Sequence, residues 1–163
     1  MDKLYLDRTE IPDNMAIIVR KAEIIETGTT VYAMSVREDN ELYHKFAEEY
    51  DVHFIFENRV PKVDFYAVPR VDIFAMDSTG GYFVTVGHCF DGDLPVYYID
   101  ENREMYLVSE SGRQFVEEAS HWRSLLKPWS GVELFPTKAA AKEKYPLFGK
   151  ANLETLHREV TEP

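Results

Sequence analysis

The chain has 163 residues, of which 45% are hydrophobic, and its 29 acidic and 18 basic side chains give a net charge of −11 at pH 7. This composition excludes an intrinsically disordered chain, and it disfavours direct binding to nucleic acid or anionic lipid because a negative field repels both. The length predicts one domain with a sizeable core. An acidic surface either attracts basic partners or simply keeps the protein soluble.

The chain contains a single cysteine, Cys89, which excludes an intramolecular disulfide and a cysteine-rich zinc site. Its first residues include acidic side chains and lack the apolar core of a signal peptide. No stretch approaches the roughly 18 uninterrupted apolar residues that a membrane span needs. We therefore expect a cytoplasmic protein with no membrane segment.

The first thirty-five residues predict a helix followed by a strand. Asp13 or Asn14 can cap a helix that continues to Ile25, although the run 16–19 is equally typical of a strand. The segment from Thr29 to Ser35 favours a strand because it is rich in β-branched and aromatic residues. The expected order at the start of the chain is therefore helix, then strand.

A more regular helix is predicted from Glu38 to Tyr50. Leu42 and Phe46 are spaced four residues apart with charged residues between them, which indicates one apolar face. The short apolar run from His53 to Phe56 follows, and the segment 63–68 alternates loosely. The spacing of the apolar residues thus changes from the helical period at this point.

The middle of the chain alternates short apolar runs with turn residues, which predicts an antiparallel meander. Gly80 and Gly81 fit a turn that needs a positive φ. Pro95 at the start of the third strand favours a sheet edge, through which the chain could form a homodimer. The four predicted strands are Val71–Met76, Tyr82–Val86, Leu94–Ile99 and Glu104–Val108.

The last part of the chain predicts helices. Ser111 and Gln114 form a capping box at the start of the clearest one. A further helix is predicted from Thr137 to Tyr145, and residues 151–163 are predicted to be a short helix or a tail. Helices followed by antiparallel strands and then helices indicate the α+β class.

Catalytic and metal-binding patterns find little support in the sequence. His88 and Cys89 are adjacent, so on a strand they point to opposite faces, and we interpret them as a loop histidine and a half-buried thiol. His44 and His53 lie in different elements without the spacing of metal ligands. The chain also lacks a Gly-x-Ser-x-Gly motif and a phosphate-binding loop. We therefore predict no catalytic residue, no metal and no cofactor.

Acidic and tyrosine residues collect instead at the ends of the predicted strands. If the meander brings these loops together, they form an acidic surface with aromatic anchors that suits a basic partner. The alternative is ordinary turn chemistry, because aspartate is favoured in turns. The predicted partner-binding residues are Asp77, Tyr82, Asp91, Asp93, Tyr97, Tyr98, Asp100 and Glu101.

The segment from Asp72 to Trp129 resembles the SUKH superfamily, specifically its Smi/Knr-like branch. In that family an apolar-Phe-Ala strand, a glycine-containing turn, a Pro-Val strand and a Ser-Phe helix follow in this order. The resemblance rests on Ile73–Phe83, Leu94–Ile99, Glu104–Ser109, Phe115 of the capped helix, and Trp122–Leu126. It implies a single α+β domain over residues 1–150, with a central, twisted, mostly antiparallel sheet flanked by helices.

The resemblance also implies a class of function. Bacterial members look like immunity proteins that bind and neutralise a toxin, often a nuclease, and other members resemble scaffolds or regulators that bind partner proteins. The leading hypothesis is therefore an immunity-type protein that is not an enzyme and that blocks a basic toxin domain. The alternatives are an intracellular scaffold or regulatory domain, and an enzyme that uses Cys89 or a carboxylate at an unfamiliar site.

Overall fold

A computed structural model describes residues 2–15, 17, 21–87 and 92–161, with side chains up to residue 155. The strands are β1 (Asp2–Asp7), β2 (Ala22–Thr27), β3 (Thr29–Val31), β4 (His53–Phe54), β5 (Tyr66–Val68), β6 (Val71–Met76), β7 (Tyr82–Val86), β8 (Val96–Ile99), β9 (Met105–Ser109), β10 (Lys127–Pro128), β11 (Glu133–Phe135) and β12 (Leu147–Phe148). The helices are α1 (Glu41–Tyr50), α2 (Gly112–Glu118), α3 (Lys138–Lys144) and α4 (Lys150–Thr161), and short 3-10 helices cover Val36–Glu38, Glu57–Arg59 and Ala119–Leu125. The predicted α+β class is confirmed.

The contacts within the chain form two compact units, and neither is continuous in sequence. Unit 1 consists of residues 1–30, 64–70 and 132–163, and unit 2 consists of residues 31–63 and 71–131. The domain boundaries predicted from the resemblance stay a prediction. None of the helices in the described part of the chain is long and apolar enough to cross a membrane.

Unit 1 contains a parallel sheet in the order β12-β1-β2 and an antiparallel pair of β5 and β11. The helix predicted from Asp13 to Ile25 is wrong at its end, because Ala22–Thr27 is strand β2, paired in register with all of β1. The reason is the β-branched content of Ile24, Ile25 and Thr27, which suits a strand once β1 supplies the partner. Of the earlier part of that predicted helix, residues 16 and 18–20 lie outside the described residues.

Charged groups inside unit 1 are paired. The guanidinium group of Arg70 is 2% exposed and donates to both carboxylate oxygens of Asp13, at 2.5 and 2.9 Å. The buried Asp7 carboxylate at the end of β1 accepts hydrogen bonds from Thr9 and forms an ion pair with Lys138. Buried charges are retained in a fold when they are paired and hydrogen-bonded, so the network is a structural feature of the unit.

Unit 2 contains the predicted meander. Its sheet runs in the order β10-β9-β8-β7-β6, all antiparallel, and β4 also pairs with β6. β8 pairs with β7 on one side and with β9 on the other, so the predicted edge position is wrong. Homodimerisation through β8 as an edge strand is therefore excluded. Pro95 is tolerated because it precedes the first residue of β8 and is not required to donate a ladder hydrogen bond.

Aromatic residues form the core of unit 2. The ring of Phe83 lies 4.7 Å from that of Trp122, 5.2 Å from that of Tyr98 and 5.4 Å from that of Phe115, measured between centroids. These four residues are at most 3% exposed. The core therefore joins β7 and β8 to α2 and to the 3-10 helix that follows it.

Helix caps in unit 2 follow from local sequence. The Ser111 hydroxyl accepts a hydrogen bond from the Gln114 N–H at 3.1 Å, which confirms the predicted start of α2. The helix predicted from Glu38 divides into the 3-10 turn and α1, because the Asn40 side chain caps α1 by accepting from the Leu42 N–H at 2.9 Å. α1 ends at Asp51, which has a left-handed conformation with φ of 58°.

Candidate functional site

The turn between β6 and β7 is organised around the carboxylate of Asp77. This side chain is 0% exposed and accepts hydrogen bonds from the Thr79 and Gly81 N–H groups, at 3.1 and 2.7 Å, and from the Tyr98 hydroxyl at 2.5 Å. Gly80 has a φ of 94°, and a Cβ atom on Gly81 would lie 2.2 Å from the Tyr98 hydroxyl oxygen. Glycine is therefore favoured at position 80 because the backbone there is left-handed. It is favoured at position 81 because the Tyr98 hydroxyl approaches too closely to leave room for a Cβ atom.

A second carboxylate, Asp51, connects the end of α1 to the same turn. It accepts hydrogen bonds from the Ser78 N–H at 3.0 Å and the Ser78 hydroxyl at 2.7 Å, and it lies 2.9 Å from Nε2 of His53. The Arg123 guanidinium group donates to Asp51 at 2.8 Å and to Asp77 at 3.4 Å. One cation thus pairs with two carboxylates from separate parts of the sequence. We call these three residues, with His53 and Ser78, the Asp51–Asp77 network.

The Asp51–Asp77 network keeps both carboxyl groups ionised. Burial is the largest single influence on each and raises the pKa, but the hydrogen bonds together outweigh it, so both pKa values lie below the ordinary 3.8. The pKa of Tyr98 is raised to about 12, first by burial and then by its hydrogen bond to Asp77. The pKa of Asp7 in unit 1 is also lowered, for the same balance of reasons.

These lowered pKa values predict acid sensitivity. A carboxyl group whose pKa is lower in the folded state stabilises the fold fully above its unfolded pKa of 3.8, and the stabilisation is lost as the pH falls through the folded value. We therefore expect the midpoint of thermal unfolding, followed by circular dichroism, to fall steeply between about pH 4 and pH 2. In the Asp77→Asn variant this midpoint should fall less steeply as the pH decreases. If it falls as steeply as in the native protein, Asp77 is not a source of the acid sensitivity.

The structure places the predicted partner-binding residues at both ends of the sheet of unit 2. Tyr82 pairs with Ile99, which pairs with Met105, so the turns that contain Asp77 and Asp100 lie at the same end of the sheet. They are also joined by a hydrogen bond of 3.3 Å from Arg103 to the Gly80 carbonyl. Asp93 precedes β8 and lies at the opposite end, because successive turns of a meander alternate between the two ends of the strands. Asp91 lies outside the described residues.

Half of the eight predicted partner-binding residues are buried. Asp77, Tyr82, Tyr97 and Tyr98 are at most 9% exposed, so these side chains offer little surface to a partner. The ring of Tyr97 stacks on Trp129 at 4.1 Å, and that of Tyr82 lies under the guanidinium group of Arg103 at 5.3 Å. Among the eight, Asp93 and Glu101 are exposed and Asp100 is half-buried. Partner binding by these three stays a prediction.

A groove in unit 2 was missed by the sequence analysis. It has a volume of about 380 Å³ and lies between α1, the segment from His53 to Arg59, and the end of β6. Its aromatic lining comes from Tyr43, Phe54 and Phe56. One signal in the sequence was available, the aromatic residues concentrated in 43–56. Leu42 was predicted to share an apolar face with Phe46, and it does not line the groove. In the structure Leu42 is 53% exposed, so it faces solvent and not the core.

His88 and Cys89 lie outside the described residues, and within the described part no group of three or more His, Cys, Asp or Glu side chains is arranged to hold a metal ion. Comparison of the chain with protein-family profiles, with characterised proteins and with solved structures gave no match. The relationship to the SUKH superfamily therefore stays a prediction that rests on residues 72–129.

Proposed function

We propose that this protein is an immunity-type binding protein that neutralises a basic toxin domain, such as a nuclease, by covering its active site or substrate surface. The observation that carries the proposal is the distribution of charge. Unit 2 contains 17 acidic and 8 basic side chains, a net charge of −9, whereas unit 1 contains 12 and 10, a net charge of −2. The negative field thus belongs mainly to the unit that contains the SUKH-like order of elements.

Electrostatics gives this asymmetry a role in recognition. A nuclease binds a polyanion, so the surface around its active site is basic, and a strongly acidic protein competes for that surface. Complementary fields accelerate the encounter and fix its orientation, while the contacts made afterwards determine how long the complex lasts. Inhibition of this kind is steric and electrostatic, and it requires no bond to be made or broken. We expect the protein to act in the cytoplasm, where its single cysteine stays reduced.

The test is co-expression and co-purification with the product of a toxin gene next to this one, followed by association rates measured by surface plasmon resonance. We expect a complex at about 0.15 M salt, slower association at about 0.5 M salt, and loss of the toxin's activity in the complex. If no basic protein binds at the lower salt concentration, the proposal fails. Binding without loss of activity would favour the scaffold or regulatory alternative.

Matched charge variants test which unit's negative charge accelerates association with the partner. Glu101→Gln with Glu117→Gln removes two exposed charges from unit 2, and Glu23→Gln with Glu154→Gln removes two exposed charges from unit 1. We expect the unit 2 pair to slow association about threefold or more, and the unit 1 pair to have a smaller effect. Equal effects of the two pairs would show that total charge, and not the acidic unit, governs the encounter.

A further inference from the structure

The groove of unit 2 has a fixed aromatic wall. The ring of Tyr43 lies 5.0 Å from that of Phe54 and 5.7 Å from that of Phe56, at interplanar angles of 60° and 74°. Phe54 also contacts the rings of Phe46 and Phe74, at 5.6 and 6.1 Å, so the wall continues into the core. Rings held at steep angles present both edges and faces to the groove, and a preformed wall of this kind binds without a large ordering cost.

Apolar surface is also concentrated in the segment 36–60, which supplies most of the groove's lining. Val36, Leu42 and Val60 are 49%, 53% and 52% exposed, and they are three of the six large hydrophobic residues that are exposed in the described part of the chain. These three residues do not line the groove itself, where the half-buried side chains of Ala47 and Met76 add to the aromatic wall. A concave aromatic site in a segment with exposed apolar groups is typical of a protein–protein interface.

The surroundings of the groove are acidic. The segment 36–60, which supplies most of its lining, contains seven acidic and three basic side chains. The positive charge of Arg59 is therefore outweighed within its own segment. An apolar centre with an acidic periphery complements an apolar anchor that is carried on a basic surface, because charges at the rim select the partner and the buried centre supplies most of the affinity.

We propose that this groove receives a bulky apolar or aromatic side chain of the basic partner, and that it is the centre of the interface. The inference rests on the proposed function, and it places the centre at α1 and the segment after it. Of the strand-end residues predicted from the sequence, Asp77 lines this groove. The partner chemistry that the groove requires is an exposed aromatic or branched aliphatic side chain with lysine or arginine residues on either side.

Matched variants test the location. Ala47→Arg and Val116→Arg each place the same long, charged side chain on a helix of unit 2, and of the two positions Ala47 lines the groove and Val116 does not. Ala47→Arg should therefore fill the groove and weaken partner binding about tenfold or more, while Val116→Arg leaves it nearly unchanged. Thermal unfolding of both variants verifies that they remain folded.

A peptide probe tests the groove without the natural partner. We would titrate the protein with a peptide that has one tryptophan flanked by lysines, and with the same peptide carrying alanine at the centre, and follow the aromatic resonances of Tyr43, Phe54 and Phe56 by NMR. The tryptophan peptide should shift these resonances, the alanine peptide should not, and Ala47→Arg should reduce the shift. If the tryptophan peptide leaves the three residues unperturbed, the groove is not the anchor site.

The two proposals fail in different ways. If a basic partner binds and Ala47→Arg binds it as tightly as Val116→Arg does, the inference about the groove is overturned and the immunity function stands. If no basic protein binds but the tryptophan peptide shifts the groove resonances, the function is overturned and the groove remains a site for a basic, aromatic segment.

Discussion

Replacing Asp77 with alanine should lower the free energy of unfolding by about 2 to 6 kcal/mol. The reason is that the carboxylate is fully buried and accepts from the Gly81 N–H and the Tyr98 hydroxyl, both of which lie in the interior. Each buried donor left without an acceptor costs about 1 to 3 kcal/mol. Since domains of this size are stable by about 5 to 15 kcal/mol, the loss removes a large part of the total.

Asp100 provides the control for this prediction. It begins the next turn at the same end of the sheet and accepts hydrogen bonds from the Asn102 and Glu104 N–H groups, both at 2.9 Å. Asp100 is half-buried, and the two residues whose N–H groups donate to it are exposed, so water can replace the lost acceptor. The half-buried Tyr106 hydroxyl also donates to Asp100, at 3.3 Å, but it keeps a second acceptor in Glu104. Asp100→Ala should therefore cost about 1 kcal/mol or less, measured by urea unfolding beside Asp77→Ala. Equal losses in the two variants would contradict the role assigned to burial.

The contrast between Asp77 and Asp100 shows what local sequence leaves undetermined. Both are aspartates that follow a strand and precede a turn, and local chemistry predicts the same hydrogen bonds to the backbone for each. What separates them is that Asp77 faces the Tyr98 hydroxyl, 21 positions away in sequence, whereas no comparable buried donor meets Asp100. Turn chemistry could therefore be predicted from the sequence, but burial of one particular turn could not.

Elements determined by short-range patterns were the most predictable. The meander from β6 to β9 follows from alternating apolar runs and turn residues, and the start of α2 follows from a serine with a glutamine three positions later. α3 likewise begins after Thr137, whose hydroxyl accepts from the Ala140 N–H at 3.1 Å. In each case the deciding contacts are made within a few residues, so the information is present in the local sequence.

Elements determined by distant partners were predicted less well. β2 forms a strand because β1 lies beside it, and β8 is interior because β9 covers the side that Pro95 had suggested was free. The exposure of Leu42 is a similar case: its spacing from Phe46 predicts a shared face, but only Phe46 is buried. An apolar pattern indicates which residues prefer burial, and it does not reveal which are left at the surface for another purpose.

Removing the indole ring of Trp122 should have an effect as large as that of removing Asp77. The residue is 2% exposed, its ring lies 4.7 Å from Phe83 and 4.9 Å from Tyr98, and its Nε1–H donates to the Tyr50 carbonyl at 2.7 Å. Trp122→Ala removes the centre of this aromatic core, and a cavity of that size costs about 3 to 5 kcal/mol. The loss should be measured as a lower urea concentration at the midpoint of unfolding, while the dependence of the unfolding free energy on urea concentration stays unchanged.

Two further variants compare packing with hydrogen bonding in this region. Trp122→Phe keeps one aromatic ring but loses the bond to the Tyr50 carbonyl and part of the indole volume, so it should cost about 1 to 3 kcal/mol, less than the alanine variant. Trp129→Ala removes the other tryptophan, which is half-buried and stacks on Tyr97 at 4.1 Å, and it should also cost less because part of that ring already contacts water. If Trp122→Phe were as destabilising as Trp122→Ala, the ring that phenylalanine retains would contribute little, which would contradict the role assigned to packing in this core.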